Sequence, residues 1–127
     1  SQELLDYTII GDSVNMASRL EGLTAVYGVP VVIGGKTREA CGDRFAYVRL
    51  DTVVVKGKTA SLGIYEPMRH AVYEARAEEL QTFERAGGLL ERGEAREAAK
   101  LFAGLTEEYP ESLLYQLYLD RCVKWAV

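Results

Sequence analysis

A strand, a glycine and a helix follow one another early in this chain, and this unit constrains the fold most. Leu4 to Ile10 is rich in β-branched and aromatic residues, which predicts a strand, and Gly11 ends it. Asp12 can begin a helix, because its carboxylate accepts hydrogen bonds from the free backbone N–H groups there. Apolar residues then recur every three or four positions, at Met16, Leu20, Leu23 and Tyr27. A helix is therefore predicted from Asp12 to Tyr27, with Gly28 just past its C-terminus.

Two polar side chains of this predicted helix are candidates for binding chemistry. Asn15 and Arg19 are four residues apart, so they lie one helical turn apart. An amide and a guanidinium near a helix N-terminus suit a sugar hydroxyl and an oxyanion. The spacing by itself favours a simpler interpretation, a surface Asn and Arg on an amphipathic helix, so the surrounding residues decide between the two.

Residues 6–21 read Asp-Tyr-Thr-Ile-Ile-Gly-Asp-Ser-Val-Asn-Met-Ala-Ser-Arg-Leu-Glu. This run resembles the signature of the class III nucleotidyl cyclases: a strand, Gly-Asp or Gly-Asn, then Val-Asn-x-Ala-x-Arg on a helix. Three later segments resemble the family's next strand, its Val-Lys-Gly-Lys turn and its closing strand, at Gly28 to Ile33, Val55 to Lys58 and Tyr65 to Pro67. The resemblance covers Ser1 to about Met68, roughly the second half of a cyclase catalytic domain.

The resemblance implies roles for four residues. Asn15 would orient the ribose, and Arg19 would stabilise charge on the phosphates in the transition state. Lys56 would meet the terminal phosphates of the nucleotide. Thr8 falls at the position that reads the purine, where adenylyl cyclases carry Asp, Thr or Ser and guanylyl cyclases typically carry Cys. A hydroxyl can donate or accept, so it can serve the N6 amine of adenine, which favours ATP over GTP.

One motif overlaps the Val-Lys-Gly-Lys turn and resembles a different nucleotide site. Gly57-Lys58-Thr59 could end a phosphate-binding P-loop, but that motif needs glycine at position 52, where this chain has Thr52, and a helix must follow. A strand is predicted to follow, so the P-loop interpretation fails. For Lys56 and Lys58 the alternative to a phosphate role is a solvated hairpin turn.

The cyclase resemblance also implies a metal requirement that this chain does not meet by itself. The family holds two Mg²⁺ or Mn²⁺ ions through two aspartates that lie upstream of the matching region. The aspartates of the matching half do not correspond to them, namely Asp6, Asp12, Asp43 and Asp51. No metal ligand is assigned, and the chain is expected to be a fragment that is inactive alone. Because the family works as dimers with sites at the interface, a homodimer through the cyclase half is implied.

The pattern changes from about Ala71 onwards, where helices are predicted. Leu80 and Phe83 mark the first, Glu94 to Glu108 forms the second, and Ser112 can cap a third. The spacing of Ala98, Phe102 and Pro110 resembles the second half of a tetratricopeptide repeat. A single repeat cannot bury its own apolar face. The alternative is a helical cap with no peptide-binding role.

Composition narrows the function classes. A hydrophobic content of 48% and a charged content of 27% describe a globular protein. Residues 1–70 are neutral in sum, and residues 71–127 carry the whole net charge of −4. Nucleic acid is not expected as a partner, because no basic face is evident. No membrane segment or signal peptide is predicted, so a cytoplasmic chain is expected, although members of the resembling family are often membrane-tethered upstream.

Together these observations predict an α+β fold. Residues 1–70 would form part of the ferredoxin-like, palm-type sheet of a nucleotidyl cyclase with flanking helices, and residues 71–127 an all-α tail resembling one tetratricopeptide repeat. The predicted function is that of an adenylate cyclase fragment, which in the intact domain converts ATP to 3′,5′-cyclic AMP and pyrophosphate. Two alternatives stay open: a non-catalytic cyclase-like dimerisation or regulatory module, and a protein-interaction adaptor acting through the tail.

Overall fold

The chain divides into two compact units, Ser1–His70 and Ala71–Val127. The computed structural model of the protein describes residues 22–54 and 61–125. Within these residues the first unit holds a three-stranded antiparallel sheet with short helices, and the second is helical. The α+β prediction is therefore confirmed.

The first helix of the described residues, α1, covers residues 22–27. Its apolar side is buried, since Leu23 is 3% exposed and Tyr27 4% exposed. Gly28 follows with a φ of 67°, and its N–H donates to the Thr24 carbonyl at 2.8 Å. This left-handed glycine closes the helix as predicted, because only a residue without a Cβ adopts that conformation at little cost. Residues 12–21 of the predicted helix lie outside the described residues, as does the predicted strand Leu4 to Ile10.

The sheet consists of β1 (Ile33–Gly34), β2 (Ala46–Val54) and β3 (Ser61–Met68), in the spatial order β1-β3-β2. Helix α2 (Gly35–Cys41) and a 3₁₀ turn (Gly42–Arg44) connect β1 to β2. The predicted strand from Val29 to Ile33 is therefore wrong in extent. Val29 and Val32 are buried at 9% and 7% exposure, yet they precede the two residues of β1 that pair. The apolar run correctly indicates which residues are buried, but a buried residue does not have to pair with a neighbouring strand.

Strand β3 also extends beyond its predicted end. It pairs with β2 as far as Met68, and Pro67 lies inside it opposite Tyr47, whereas Pro67 was expected to close the sheet. Proline is tolerated because β1 pairs only with Ile64 and Tyr65. On that side of Pro67, no strand of the described sheet needs the N–H that proline lacks.

Helix α3 (His70–Ala75) begins at the last residue of the first unit, and its other residues belong to the second unit. The main helices of the second unit are α4 (Ala77–Glu91), α5 (Ala95–Glu108) and α6 (Leu113–Trp125). The predicted cap of the third helix is confirmed, because the Ser112 hydroxyl accepts a hydrogen bond from the Tyr115 N–H at 3.2 Å.

An aromatic cluster forms the core of this helical unit, and it consists of Phe83, Phe102, Tyr115 and Tyr118. Ring centroids in the cluster are 5.3–5.9 Å apart, within the usual range for contacting aromatic pairs. Phe83 lies in α4, Phe102 lies in α5, and both tyrosines lie in α6. Leu113 and Trp125, at the two ends of α6, are 59% and 61% exposed. Among the described helices, none combines the length and the apolar character needed to cross a membrane.

Candidate functional site

All four residues predicted to bind nucleotide, Thr8, Asn15, Arg19 and Lys56, lie outside the described residues. The structure describes the elements that adjoin them along the chain. The described part of helix α1 starts three residues after Arg19, and the strands β2 and β3 lie on either side of residues 55–60, which contain Lys56. These elements adjoin the predicted site along the chain, and the roles of its four residues stay predictions.

The framework around Lys56 is a β-hairpin. Val54 at the end of β2 pairs with Ser61 at the start of β3, and the two strands run antiparallel. A strand thus follows residues 57–59, whereas a P-loop needs a helix at this point. The predicted exclusion of a P-loop is confirmed.

A partly buried hydrogen bond connects helix α1 to this hairpin. The Tyr27 hydroxyl donates to Oδ2 of Asp51 at 2.6 Å, and Asp51 Oδ1 accepts from the Thr52 N–H at 2.7 Å. Tyr27 is 4% exposed, so little water competes for its hydroxyl. A hydrogen bond to a carboxylate in such surroundings is stronger than one between neutral groups.

A β-bulge explains why Asp51 faces Tyr27. Arg49 lies opposite Tyr65, but the register then shifts so that Asp51, and not Leu50, lies opposite Ile64. Ile64 is 2% exposed and points into the core, as does Leu50 at 3%. The extra residue turns Asp51 to this same face, because opposed residues of an antiparallel pair share a face. Without the bulge Asp51 would lie on the opposite face of the sheet.

The opposite face of the sheet carries tyrosine and arginine. The Arg38 guanidinium lies over two rings, 5.2 Å from the centroid of Tyr47 and 4.9 Å from that of Tyr65. The Tyr47 hydroxyl donates to the Gly42 carbonyl at 2.8 Å. These contacts fix α2 and the 3₁₀ turn against the hairpin. The groups in these contacts are a guanidinium, two aromatic rings and a backbone carbonyl.

Other candidate groups of the described residues have structural roles. His70 Nε2 lies 2.7 Å from the Asp43 carbonyl, so it is the protonated nitrogen and donates. Cys41 and Cys122 are free thiols. Within residues 22–54 and 61–125 no group of three or more His, Cys, Asp or Glu side chains could hold a metal ion. The described part of the chain therefore does not fit the two-metal site that the resemblance implies.

Sequence reasoning missed the Tyr27–Asp51 hydrogen bond. Tyr27 was interpreted only as part of an apolar stripe, and Asp51 only as a carboxylate that is not a metal ligand. One signal was available in the sequence of β2, where the aliphatic residues lie at even positions up to Leu50 and the next one, Val53, lies at an odd position. A strand that keeps one face buried must contain an extra residue where this parity changes.

Comparison with known proteins points to one group. The chain is 42% identical over 66 residues to adenylate cyclase 1 of Rhizobium meliloti, a match of 52% of this chain and 10% of that protein. It is 43% identical over 65 residues to an adenylate cyclase of Anabaena cylindrica, covering 49% of this chain and 13% of that protein. A third match, at 30% identity over 130 residues, is to the terminal-differentiation specific adenylate cyclase of Dictyostelium discoideum, with 98% of this chain and 6% of that protein.

These similarities support a cyclase family for the chain. No protein-family model matches the sequence, and no solved structure matches it. The chain spans between 6% and 13% of the length of these three relatives. Their names therefore describe proteins many times longer than this chain.

Proposed function

We propose that this chain, a relative of proteins named adenylate cyclases, is part of a catalytic domain that converts ATP to 3′,5′-cyclic AMP and pyrophosphate. The observation that carries the proposal is the identity of 42% and 43% to two such proteins over about half of this chain. The signature run of residues 6–21 supplies the residue types that the reaction needs.

The reaction is a cyclisation of the substrate. The 3′-hydroxyl oxygen of the ribose bonds to the α-phosphorus and its proton passes to solvent, while the bond from that phosphorus to the bridging oxygen of the β-phosphate breaks and pyrophosphate leaves. The protein makes no covalent bond, so orientation and neutralisation of charge supply most of the rate enhancement. Asn15 is proposed to orient the ribose by hydrogen bonding. Arg19 is proposed to stabilise the developing charge, because a guanidinium is permanently charged and matches phosphate oxygens with two donors.

Two further residues are proposed to hold the ends of the nucleotide. Lys56, in the connection between β2 and β3, would contact the terminal phosphates as a mobile positive charge. Thr8 would hydrogen bond to the adenine, with its hydroxyl accepting from the N6 amine. The hairpin pairing of β2 and β3 supports the proposal for Lys56, since it brings the chain into and out of residues 55–60 as adjacent strands.

The remainder of the site is proposed to come from elsewhere. The described residues hold no metal-binding group, so the aspartates for Mg²⁺ or Mn²⁺ would be supplied by a preceding segment, and the active site would form between two subunits. We propose that β1, β3 and β2 are part of a palm-type sheet. A cytoplasmic location follows from the proposal, because ATP is the substrate.

The helical unit is proposed to accompany the cyclase unit as a tetratricopeptide-like tail. Helices α4 and α5, of 15 and 14 residues, are separated by three residues, as a helix pair of such a repeat requires. Identity to the Dictyostelium discoideum protein over 98% of this chain includes the tail as well. A helical unit without a peptide-binding role agrees best with the aromatic core that its own helices bury.

Complementation tests the proposed function. The chain alone, assayed with ATP and Mg²⁺ or Mn²⁺, should form no cyclic AMP. Adding a polypeptide that carries the two metal-binding aspartates of a cyclase domain should produce cyclic AMP, with GTP a poorer substrate than ATP. Turnover by the chain alone would contradict the fragment assignment, and a mixture without turnover at any ratio would contradict the catalytic one.

A further inference from the structure

The hydrogen bond between Tyr27 and Asp51 joins the two parts of the chain to which the proposed function assigns substrate contacts. Tyr27 ends helix α1, eight residues after Arg19. Asp51 lies in β2, five residues before Lys56. The donor and acceptor are 2.6 Å apart, so the end of the helix and the strand are held together by a direct contact.

The local structure is organised around this contact. The register shift after Arg49 is what turns the Asp51 carboxylate toward the core. Its other oxygen accepts from the Thr52 N–H at 2.7 Å, which fixes the orientation of the carboxylate at the bulge. A bulge disrupts strand pairing, and here it turns Asp51 to the face on which Tyr27 contacts it.

We propose that Tyr27 and Asp51 are positioning residues, which fix the strand leading to Lys56 against the helix that follows Arg19. The inference rests on the proposed function, since it concerns the two substrate-binding segments. Neither residue touches substrate. Each acts through the placement of other residues, and a misplacement of about 1 Å in an active site can cost about 10²-fold in rate.

The test uses Tyr27→Phe, which keeps the buried ring and removes the hydroxyl. Tyr47→Phe is the matched control, because it removes a hydroxyl that donates to the Gly42 carbonyl on the opposite face of the same strand. In the complemented assay, per folded chain, Tyr27→Phe is expected to lower kcat by about tenfold or more, within the range of positioning effects. The control should stay within about twofold of the unsubstituted chain, as expected for a site away from the proposed contacts.

A double-mutant cycle separates positioning from general stability. If the hydroxyl acts through the carboxylate, Tyr27→Phe combined with Asp51→Ala lowers kcat no further than Asp51→Ala alone. Tyr47→Phe combined with Asp51→Ala should instead multiply the two single effects. Multiplicative effects of Tyr27→Phe and Asp51→Ala on kcat, or a Tyr27→Phe variant that loses only folded fraction, would overturn the proposal.

Hydrogen exchange provides a readout that does not depend on catalysis. Tyr27→Phe is expected to speed amide exchange in residues 22–27 and in residues 50–54 together, whereas Tyr47→Phe leaves both unchanged. Unchanged exchange in both segments overturns the positioning role even if the mixture is an active cyclase. Faster exchange in both, combined with a mixture in which Arg19→Ala has no effect, supports the coupling and contradicts the proposed function.

Discussion

Removal of the Tyr115 hydroxyl from the helical unit should lower the free energy of unfolding by about 1.5–3 kcal/mol. This is the usual contribution of a hydrogen bond to a charged group. Tyr115 is 1% exposed, and its hydroxyl donates to Oε2 of Glu79. Arg76 donates to the same carboxylate at 3.1 and 3.0 Å. Tyr115→Phe keeps the ring and its packing. Since the Arg76 side chain is 41% exposed, solvent screens this group of charges, and we expect the lower half of the range.

The loss of unfolding free energy in Tyr115→Phe should depend on pH. Burial by itself would raise the pKa of the Glu79 carboxyl, but the hydrogen bonds from Arg76 and Tyr115 outweigh burial and hold that pKa below its ordinary value. A carboxyl with a depressed folded pKa stabilises the fold above its unfolded pKa, about 4.3 for Glu. This contribution disappears as the pH falls through the folded pKa. A protonated Glu79 accepts only a neutral hydrogen bond, worth about 0.5–1.5 kcal/mol, so the effect of Tyr115→Phe should shrink in acid.

Urea unfolding followed by far-ultraviolet circular dichroism measures this difference at about pH 7 and about pH 2, well above and well below the ordinary glutamate pKa of about 4.3. Fluorescence of Trp125, the only tryptophan, provides a second probe within the helical unit. Tyr73→Phe is the matched control, because this partly exposed tyrosine of α3 lies outside the Glu79 network, and it should cost no more than about 0.5 kcal/mol. The reasoning is refuted if Tyr115→Phe costs the same at both pH values, or no more than the control at neutral pH.

Three further outcomes are expected elsewhere in the chain. A Cβ at position 63 would lie 2.6 Å from the Tyr65 hydroxyl oxygen, so in urea unfolding Gly63→Ala should lose about 1–3 kcal/mol through overpacking. A Cβ at position 87 meets nothing within 4 Å in helix α4, so Gly87→Ala should gain about 0.8–1.0 kcal/mol, and a loss would contradict the described helix. Cys122 is 0% exposed and burial raises the pKa of its thiol, so a disulfide reagent should modify Cys41 in the folded chain and Cys122 only after unfolding.

The parts of the fold that short-range chemistry decides could be predicted from sequence. Gly28 ends α1 and Ser112 caps α6, because each signal depends on one residue and its immediate neighbours. The hairpin of β2 and β3 was predicted for the same reason, since two β-rich runs flank a glycine-containing turn.

The parts of the fold that depend on contacts between residues distant in sequence could not be predicted. The bulge at Leu50 exists through pairing with β3, and the Tyr27–Asp51 hydrogen bond joins residues 24 positions apart. Exposure of Trp125 was likewise not predicted, because an apolar residue on a helix does not reveal whether a neighbouring helix reaches it. The apolar run before β1 showed which residues are buried, but not that only Ile33 and Gly34 pair.

The candidate site could be predicted only through the resemblance of residues 6–21 and of Val55 to Lys58 to motifs of one family. Spacing alone left Asn15 and Arg19 as ordinary surface residues of a helix. The similarity to three adenylate cyclases supports the family, and the roles of the individual residues stay predictions. The framework residues Tyr27 and Asp51 became evident only from their geometry.

The most direct measurement of the central claim is the effect of Arg19→Ala on cyclic AMP formation in the complemented assay. If Arg19 stabilises transition-state charge, kcat should fall by about 10³-fold or more, as for arginines that serve this purpose in phosphoryl transfer. Arg38→Ala is the matched control, because Arg38 stacks on Tyr47 and Tyr65, and it should keep kcat within about threefold, as expected for a site outside the reaction. An Arg19→Ala variant that turns over ATP as fast as the Arg38→Ala control would contradict the account.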